Sequence, residues 1–321
     1  MIVRWDLAAL PEVCDAAGIR SPLLVASARW DGVELPLQPA ARWREVPSDR
    51  IDQAAEAASG RDGVIALGGG SAVDLGKAVS AATGLPLVSV PTTYAGAEWT
   101  PYFGVRDPQR RIRGGGSGAR LAGAVYEVGL TLDLPRETTV GTAMNALAHC
   151  AEALYARGHN DAADAEALQG TRLISASLPQ VVESPHDRDA RTRLLQGACH
   201  AGMALAGSML ALAHAMAQAI GGRYGLPHGT LNGICLPPVL RHNARDVPEA
   251  IRRFGAAVGG DPAARVTELA ALGGPTRLRD LGVPEEDLAE LAETAAGRAG
   301  NQANPRAATP AEIEQLLRSV W

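Results

Sequence analysis

Residues 68–77 read GGGSAVDLGK, which brings three consecutive glycines, a serine and a lysine together. The apolar run 63–67 before them predicts a strand, and the apolar spacing within 71–83 predicts a helix. A glycine turn between a strand and a helix offers backbone N–H groups at the helix N-terminus, where they bind phosphate. The pattern predicts an anion-binding turn made of Gly68, Gly69, Gly70 and Ser71.

Lys77 is the only lysine in the 321-residue chain, since every other basic side chain apart from histidine is an arginine. A position that stays lysine in such a composition needs a compact ammonium, which a guanidinium does not imitate. We expect Lys77 to take part in catalysis, either beside the cofactor or on the substrate.

A second polar segment follows the next predicted strand, residues 86–90, and reads PTTYAGAEWT. Hydroxyls and small residues directly after a buried strand allow a phosphate or a flat ring to approach closely. Next to the glycine turn, Thr92 and Thr93 are therefore expected to form a second wall of one nucleotide site, on the nicotinamide side.

Three histidines in the second half of the chain stand among small apolar residues. Asn145 and His149 are four residues apart, so they share one helix face. His214 lies in an Ala-rich helical pattern, and His228 follows fourteen residues later in a predicted loop. Such placement predicts inward-facing imidazoles around one pocket. Histidines at helical spacing are also typical metal ligands, but Asn145 brings a neutral amide where a carboxylate would bind a cation more strongly.

Composition limits the class of protein. The formal net charge of −5 and the pI near 5.8 argue against nucleic acid as a partner. The four cysteines show no metal or disulfide spacing, and no signal peptide or membrane span is recognisable. We expect a cytoplasmic protein with reduced thiols.

The order of the predicted elements divides the chain into two parts. Strands and helices alternate in residues 1–133, which predicts an α/β domain with a parallel sheet that binds ligands at its C-terminal edge. Residues 134–321 show only helical patterns and predict an all-α domain, with a cleft between the two. Residues 107–120 are basic and glycine-rich and predict a loop or hairpin between them.

Five segments together resemble the iron-containing alcohol dehydrogenase superfamily: GGGSAVDLGK, PTTYAGAEWTP, MNALAHCAEALYA, HAMAQAIGGRYGLPHG and NPRAATPAEI. Within it they are most similar to the maleylacetate reductase subgroup. The resemblance runs from about residue 60 to the end. It implies a dinucleotide-binding α/β domain and a helical domain, as in the dehydroquinate synthase-like folds. Before residue 60 the chain is shorter than the family pattern, and the helix that flanks the adenosine half is reduced to a Pro-rich stretch.

The resemblance also implies cofactor, substrate and assembly. The cofactor would be NADH or NADPH, and the small-molecule substrate would be a dicarboxylate or enone acid whose C=C bond is reduced, paired with Arg110, Arg111, Arg113 or Lys77. Metal-dependent relatives use Asp, His, His and His, which map onto Asn145, His149, His214 and His228. Because the first position is an amide, a metal is not expected to be required, and the histidines are expected to act as hydrogen-bond donors and acid–base groups. A homodimer is implied as well.

Three other functions stay open from the sequence. One is a metal-dependent alcohol or aldehyde dehydrogenase with the three histidines on iron or zinc. Another is a non-redox lyase or cyclase of a biosynthetic pathway, which the shortened N-terminus favours because it weakens the nucleotide site. The third is a catalytically inactive, partner-binding protein, which the three histidines and the intact glycine turn disfavour.

Overall fold

The computed structural model describes the whole chain, residues 1–321. It divides into two compact units. The N-terminal unit comprises residues 1–93 and 97–131, and the C-terminal unit comprises residues 94–96 and 132–321. The division lies beside the predicted boundary at residue 133, but the assignment of 94–96 to the C-terminal unit was not predicted.

A six-stranded parallel sheet forms the centre of the N-terminal unit, with strand order β1-β8-β5-β4-β2-β3. A separate antiparallel hairpin consists of β6 and β7. The strands are β1 Ile2–Trp5, β2 Leu23–Val25, β3 Ala41–Trp43, β4 Val64–Gly68, β5 Pro86–Pro91, β6 Phe103–Arg106, β7 Ile112–Gly116 and β8 Arg120–Tyr126. The hairpin lies where the sequence predicted one.

Side chains of the sheet alternate between two apolar cores, as the pleat requires. Ile65 and Leu67 of β4 pack in the core that the helix α1 (Leu10–Ala16) covers. Val64 and Ala66 pack in the opposite core, under α2 (Ile51–Ala57) and α3 (Gly70–Thr83). Between β2 and β3 the structure has only the short 3-10 turn Ala28–Trp30. The family's helix after β2 is therefore reduced, as the Pro-rich sequence predicted.

The C-terminal unit contains helices and no strand, as predicted from residue 134 onward. Its helices are α4 Arg136–Ala153, α5 Asp161–Glu183, α6 Arg188–Ala206, α7 Leu212–Tyr224, α8 His228–Asn243, α9 Pro248–Val258, α10 Pro262–Ala271, α11 Leu288–Ala296, α12 Ala299–Ala303 and α13 Pro310–Ser319. None of the helices is long and apolar enough to cross a membrane.

Helix α8 corrects the prediction that His228 lies in a loop, because His228 is its first residue. Pro237 and Pro238 lie inside this helix, and prolines normally interrupt one by removing backbone donors. The helix continues through them because residues 231–240 are all buried. Tertiary packing therefore outweighs the local preference of the two prolines.

Candidate functional site

The glycine turn joins the end of β4 to the start of α3 in the N-terminal unit. Gly68 has a φ of 147°, which favours glycine, and Gly69 caps α3 without any side-chain hydrogen bond. A Cβ at Gly69 would lie 2.8 Å from Cγ2 of Thr93, and the backbone N–H of Thr92 donates to the Gly68 carbonyl at 3.0 Å. The turn and the threonine segment thus lie side by side.

These residues fit the pyrophosphate of a dinucleotide. The first N–H groups of α3 receive no capping side chain, so a phosphate can accept from them. A side chain at Gly69 would fill the space against Thr93. Trp30, which sequence reasoning did not identify, also lies here: its Nε1 is 3.6 Å from where a Cβ at Gly68 would stand. A flat indole next to the turn is suited to contact a nucleoside.

The ammonium of Lys77 is bound by protein groups, which differs from the expected catalytic role. Its side chain is 1% exposed, and Nζ donates to the carbonyls of Ala97 (2.8 Å) and Tyr102 and contacts Asp74 Oδ1 at 2.9 Å. All three N–H groups are therefore occupied by the protein. In this structure Lys77 joins α3 to the segment 97–102, and no N–H is left for a substrate carboxylate.

The hairpin arginines are also held by the protein. The side chains of Arg111 and Arg113 both contact the carboxylate of Asp107, with Nε–Oδ2 distances of 2.9 and 2.8 Å. Asp107 is 2% exposed, and hydrogen bonds from Arg111 keep its pKa low although burial alone would raise it. Arg110 is exposed at the turn between β6 and β7. The geometry gives none of the three a substrate-binding role.

The predicted polar residues of the second half do come together, within the C-terminal unit. The rings of His149 and His214 stack with centroids 4.8 Å apart, and the ring of His228 lies 5.5 Å from that of His214. Asn145 Oδ1 is 3.3 Å from His214 Nε2. Helix α4 supplies Asn145 and His149, α7 supplies His214 and α8 supplies His228. We call these four residues the histidine cluster.

Asn232 is the centre of the hydrogen bonds in the histidine cluster. It is fully buried on α8, and its Nδ2 lies 2.7 Å from Asn145 Oδ1, 3.2 Å from His214 Nε2 and 3.1 Å from His228 Nε2. The amide of Asn145 is itself fixed, because its Nδ2 donates to the Ala95 carbonyl at 3.0 Å. An amide carries two N–H groups, so with one donated to Asn145 Oδ1 the other is left to be shared by the Nε2 atoms of His214 and His228.

Glu152 determines which nitrogen of His214 carries the proton. Its carboxylate is completely buried, accepts from the backbone N–H groups of Ala211 (2.7 Å) and His214 (3.2 Å), and lies 2.6 Å from His214 Nδ1. A carboxylate accepts, so we assign the proton to Nδ1. The Nε2 of neutral His214 then carries a lone pair, which accepts from Asn232. In this form His214 cannot donate to a substrate oxygen through Nε2.

His149 differs from the other imidazoles because it forms no hydrogen bond to the protein. It is 6% exposed, and its Nδ1 is buried without a partner. Burial lowers its pKa well below the ordinary value, and His214 and His228 lower it further. His149 is therefore a neutral imidazole that retains an N–H for a ligand.

The arrangement does not fit a metal ion. No group of three or more His, Cys, Asp or Glu side chains is arranged to hold one. The amide nitrogen of Asn232 lies 3.2 and 3.1 Å from the Nε2 atoms of His214 and His228, so a hydrogen-bond donor stands beside the two lone pairs that a cation would require. Asn145 adds an amide oxygen without charge. We derive no chemical step through a metal.

Sequence reasoning missed Glu152 and Asn232. Both positions carried a usable signal, since Glu152 is three residues after His149 and Asn232 is four residues after His228. These spacings place each polar side chain on the same helix face as the histidine.

Comparison with known proteins identifies the family of this chain. Residues 6–122 match the model of iron-containing alcohol dehydrogenase, and residues 139–321 match the C-terminal model of the Fe-containing alcohol dehydrogenase family. The chain belongs to the iron-containing alcohol dehydrogenase family. It is accordingly an oxidoreductase. The match from residue 6 extends the resemblance well before residue 60, where the sequence motifs alone placed its start.

Several relatives within the family are maleylacetate reductases. The chain is 38% identical to that of Sphingobium indicum over 276 residues, 85% of this chain and 78% of the relative. It is 36% identical to maleylacetate reductase 1 of Rhodococcus opacus over 318 residues, 97% and 85% of the two chains. The crystal structure of maleylacetate reductase from a Rhizobium species superposes with a TM-score of 0.89 at 31% identity, covering 100% of this chain and 96% of that one. The fold and the maleylacetate reductase-like character are thus shown.

Proposed function

We propose that this family member uses NADH or NADPH to reduce the C=C bond of maleylacetate, or of a related enone carboxylate, and that maleylacetate yields 3-oxoadipate. The observation that carries the proposal is His149, a neutral imidazole without a protein partner, whereas His214 contacts Glu152 and Asn145 accepts from Asn232. The similarity to maleylacetate reductases supports the substrate.

Each residue has a distinct task in this reaction. The amides after Gly69 bind pyrophosphate, and Thr92 and Thr93 border that turn. When bound, NADH or NADPH would provide the hydride that the alkene carbon β to the ketone takes up. Negative charge then develops on the ketone oxygen, and the N–H of His149 donates to it. The α carbon, between that β carbon and the ketone, then takes up a proton. One hydride and one proton are therefore consumed for each C=C bond reduced.

His214 and His228 are assigned to positioning or proton movement. The Nε2 of His214 is an acceptor when the ring is neutral, and Glu152 can stabilise the ring if it takes up a proton. His228 shares the Asn232 amide with His214. Lys77 is proposed to act by holding the segment 97–102, not by contact with substrate. No metal is proposed for the reaction.

Assembly and compartment are proposed on separate observations. Strand β1 forms one edge of the sheet, and its Trp5 and the preceding Met1 are 43% and 47% exposed, which suits a second copy of this chain. We propose a homodimer, and light scattering should give about twice the 33.3 kDa of one chain. All four cysteines are buried and none forms a disulfide, which favours the cytoplasm.

A direct assay tests the proposed function. Purified protein is mixed with maleylacetate and either NADH or NADPH, nicotinamide absorbance is followed, and the product is identified by mass spectrometry. We expect oxidation of the nicotinamide with 3-oxoadipate formed in equal amount. Turnover of maleylacetate without nicotinamide oxidation would instead favour a lyase or cyclase.

A further inference from the structure

Arg298 is a partly buried guanidinium that faces no carboxylate. It immediately precedes α12, and its only hydrogen bonds are long ones to Gln218, at 3.5 Å from Nη1 to Oε1 and 3.3 Å from Nη2 to the carbonyl. Its Nε is buried and has no partner. Burial alone, without any neighbouring charge, lowers the pKa of Arg298. A charged group in this situation lacks the anion that would compensate its desolvation.

Arg298 differs in this from arginines nearby. Arg223, on the same helix α7 that carries Gln218, contacts both Asp287 and Glu290. Arg306 contacts Glu312 at 2.9 Å. No carboxylate pairs with Arg298, so the terminal N–H groups that are not directed at Gln218 remain for a ligand with two oxygens.

The position of Arg298 relates it to the histidine cluster. Gln218 follows His214 by one helical turn on the same face of α7, where neighbouring side chains have Cβ atoms about 5–6 Å apart. Gly300 packs on this face as well, since a Cβ there would meet the Ala211 carbonyl at 2.6 Å and Ala215 Cβ at 3.4 Å. The guanidinium thus lies against the helix that presents His214, about one turn further along it.

We propose that Arg298 binds a carboxylate of the substrate and selects oxo acids over simple aldehydes and alcohols. The inference rests on the proposed function, because it places the ketone oxygen at His149. Both carboxylates of maleylacetate lie within three bonds of the ketone carbon, so the group that holds one of them must be close to the imidazoles, and Gln218 is one turn from His214, whose ring stacks on His149. The planar guanidinium can hold both carboxylate oxygens through the remaining N–H groups of Nη1 and Nη2, while Gln218 orients the side chain.

The test compares Arg298→Gln and Arg298→Lys with the wild type, and Arg223→Gln serves as the matched control. For Arg298→Gln we expect KM for maleylacetate to rise by about 10²-fold, with kcat changed less than about 3-fold, as expected for losing charge-assisted hydrogen bonds. The lysine variant keeps a point charge and should recover part of the loss. Arg223→Gln should leave KM unchanged.

A binding measurement separates this inference from the proposed function. Calorimetric titration with adipate and with neutral adipamide should show preference for adipate in the wild type and none in Arg298→Gln. If the wild type does not reduce maleylacetate but this preference is present and lost in the variant, the proposed function fails and the carboxylate site stands. If KM and adipate affinity are both unchanged in Arg298→Gln, the inference is overturned.

Discussion

Glu152 Oε2 lies 2.6 Å from His214 Nδ1, and both side chains are at most 1% exposed. Because the carboxylate fixes the proton on Nδ1, it also fixes the lone pair on Nε2. His214 therefore offers no N–H at Nε2 to a ligand, whereas His149, whose Nδ1 has no protein partner, retains one.

The contact predicts the effect of Glu152→Gln. An amide can donate to Nδ1, which permits the other tautomer of His214 and weakens the stabilisation of a protonated ring. We expect kcat to fall by roughly 10²-fold and its pH profile to shift, within the range for misplaced acid–base groups. Glu166→Gln is the control, because Glu166 contacts His200 at 2.5 Å in a partly exposed pair. Equal losses in both variants would contradict the assignment.

His149→Ala should remove the donor to the developing enolate oxygen. Loss of one such donor lowers kcat by about 10²–10³-fold. His149→Gln retains an N–H and should recover part of the rate. Steady-state kinetics with saturating NADH or NADPH measure both variants. If His149→Ala keeps more than about a third of the wild-type kcat, His149 is not the oxyanion donor.

The buried ammonium of Lys77 predicts a loss of stability on substitution. Lys77→Met leaves Asp74 and two carbonyls without their donor, and unsatisfied buried groups cost about 1–3 kcal/mol each. Lys77→Arg keeps the charge but needs more room in a site that is 1% exposed. Both variants should lower Tm in thermal unfolding, Met more than Arg. An unchanged Tm with lost activity would restore the catalytic role that the sequence suggested.

The buried carboxyl group of Glu98 should make the stability of the folded protein depend on pH. Burial raises its pKa, while the hydroxyl of Tyr126, which donates at 2.6 Å, and the charge of Lys77 oppose the rise. The folded-state pKa lies above the unfolded value near 4.5, so the stability that Glu98 contributes at low pH is lost as pH rises through the folded pKa. Relative to the wild type, Tm of Glu98→Gln should be higher at pH 8 than at pH 5. Glu12→Gln, at an exposed position, serves as the control, and its Tm relative to the wild type should not rise between pH 5 and pH 8.

Sequence patterns predicted the site where the signals are local. The glycine turn was predictable because an apolar run, three glycines and helical spacing are contiguous. Asn145 and His149 were placed on one helix face by their spacing alone. The hydrogen bonds that hold the Lys77 ammonium were not predictable, because its partners Ala97 and Tyr102 lie beyond another strand, β5. Pro237 and Pro238 concealed α8, whose existence depends on burial.

The histidine cluster gives the most direct test of the account, because metal-dependent relatives would hold a cation there. Maleylacetate reduction is measured with NADH and NADPH before and after chelator treatment, together with the metal content of the protein, for the wild type and Asn145→Asp. The wild type should keep its activity after chelation, whereas Asn145→Asp should take up more metal. In the wild type the Asn145 amide donates to the Ala95 carbonyl at 3.0 Å. In the variant a carboxylate oxygen would face that carbonyl instead, and a bound cation would relieve the repulsion between the two oxygens. One tightly held iron or zinc in the wild type, whose removal ends activity and whose return restores it, would contradict the account and make His149, His214 and His228 metal ligands.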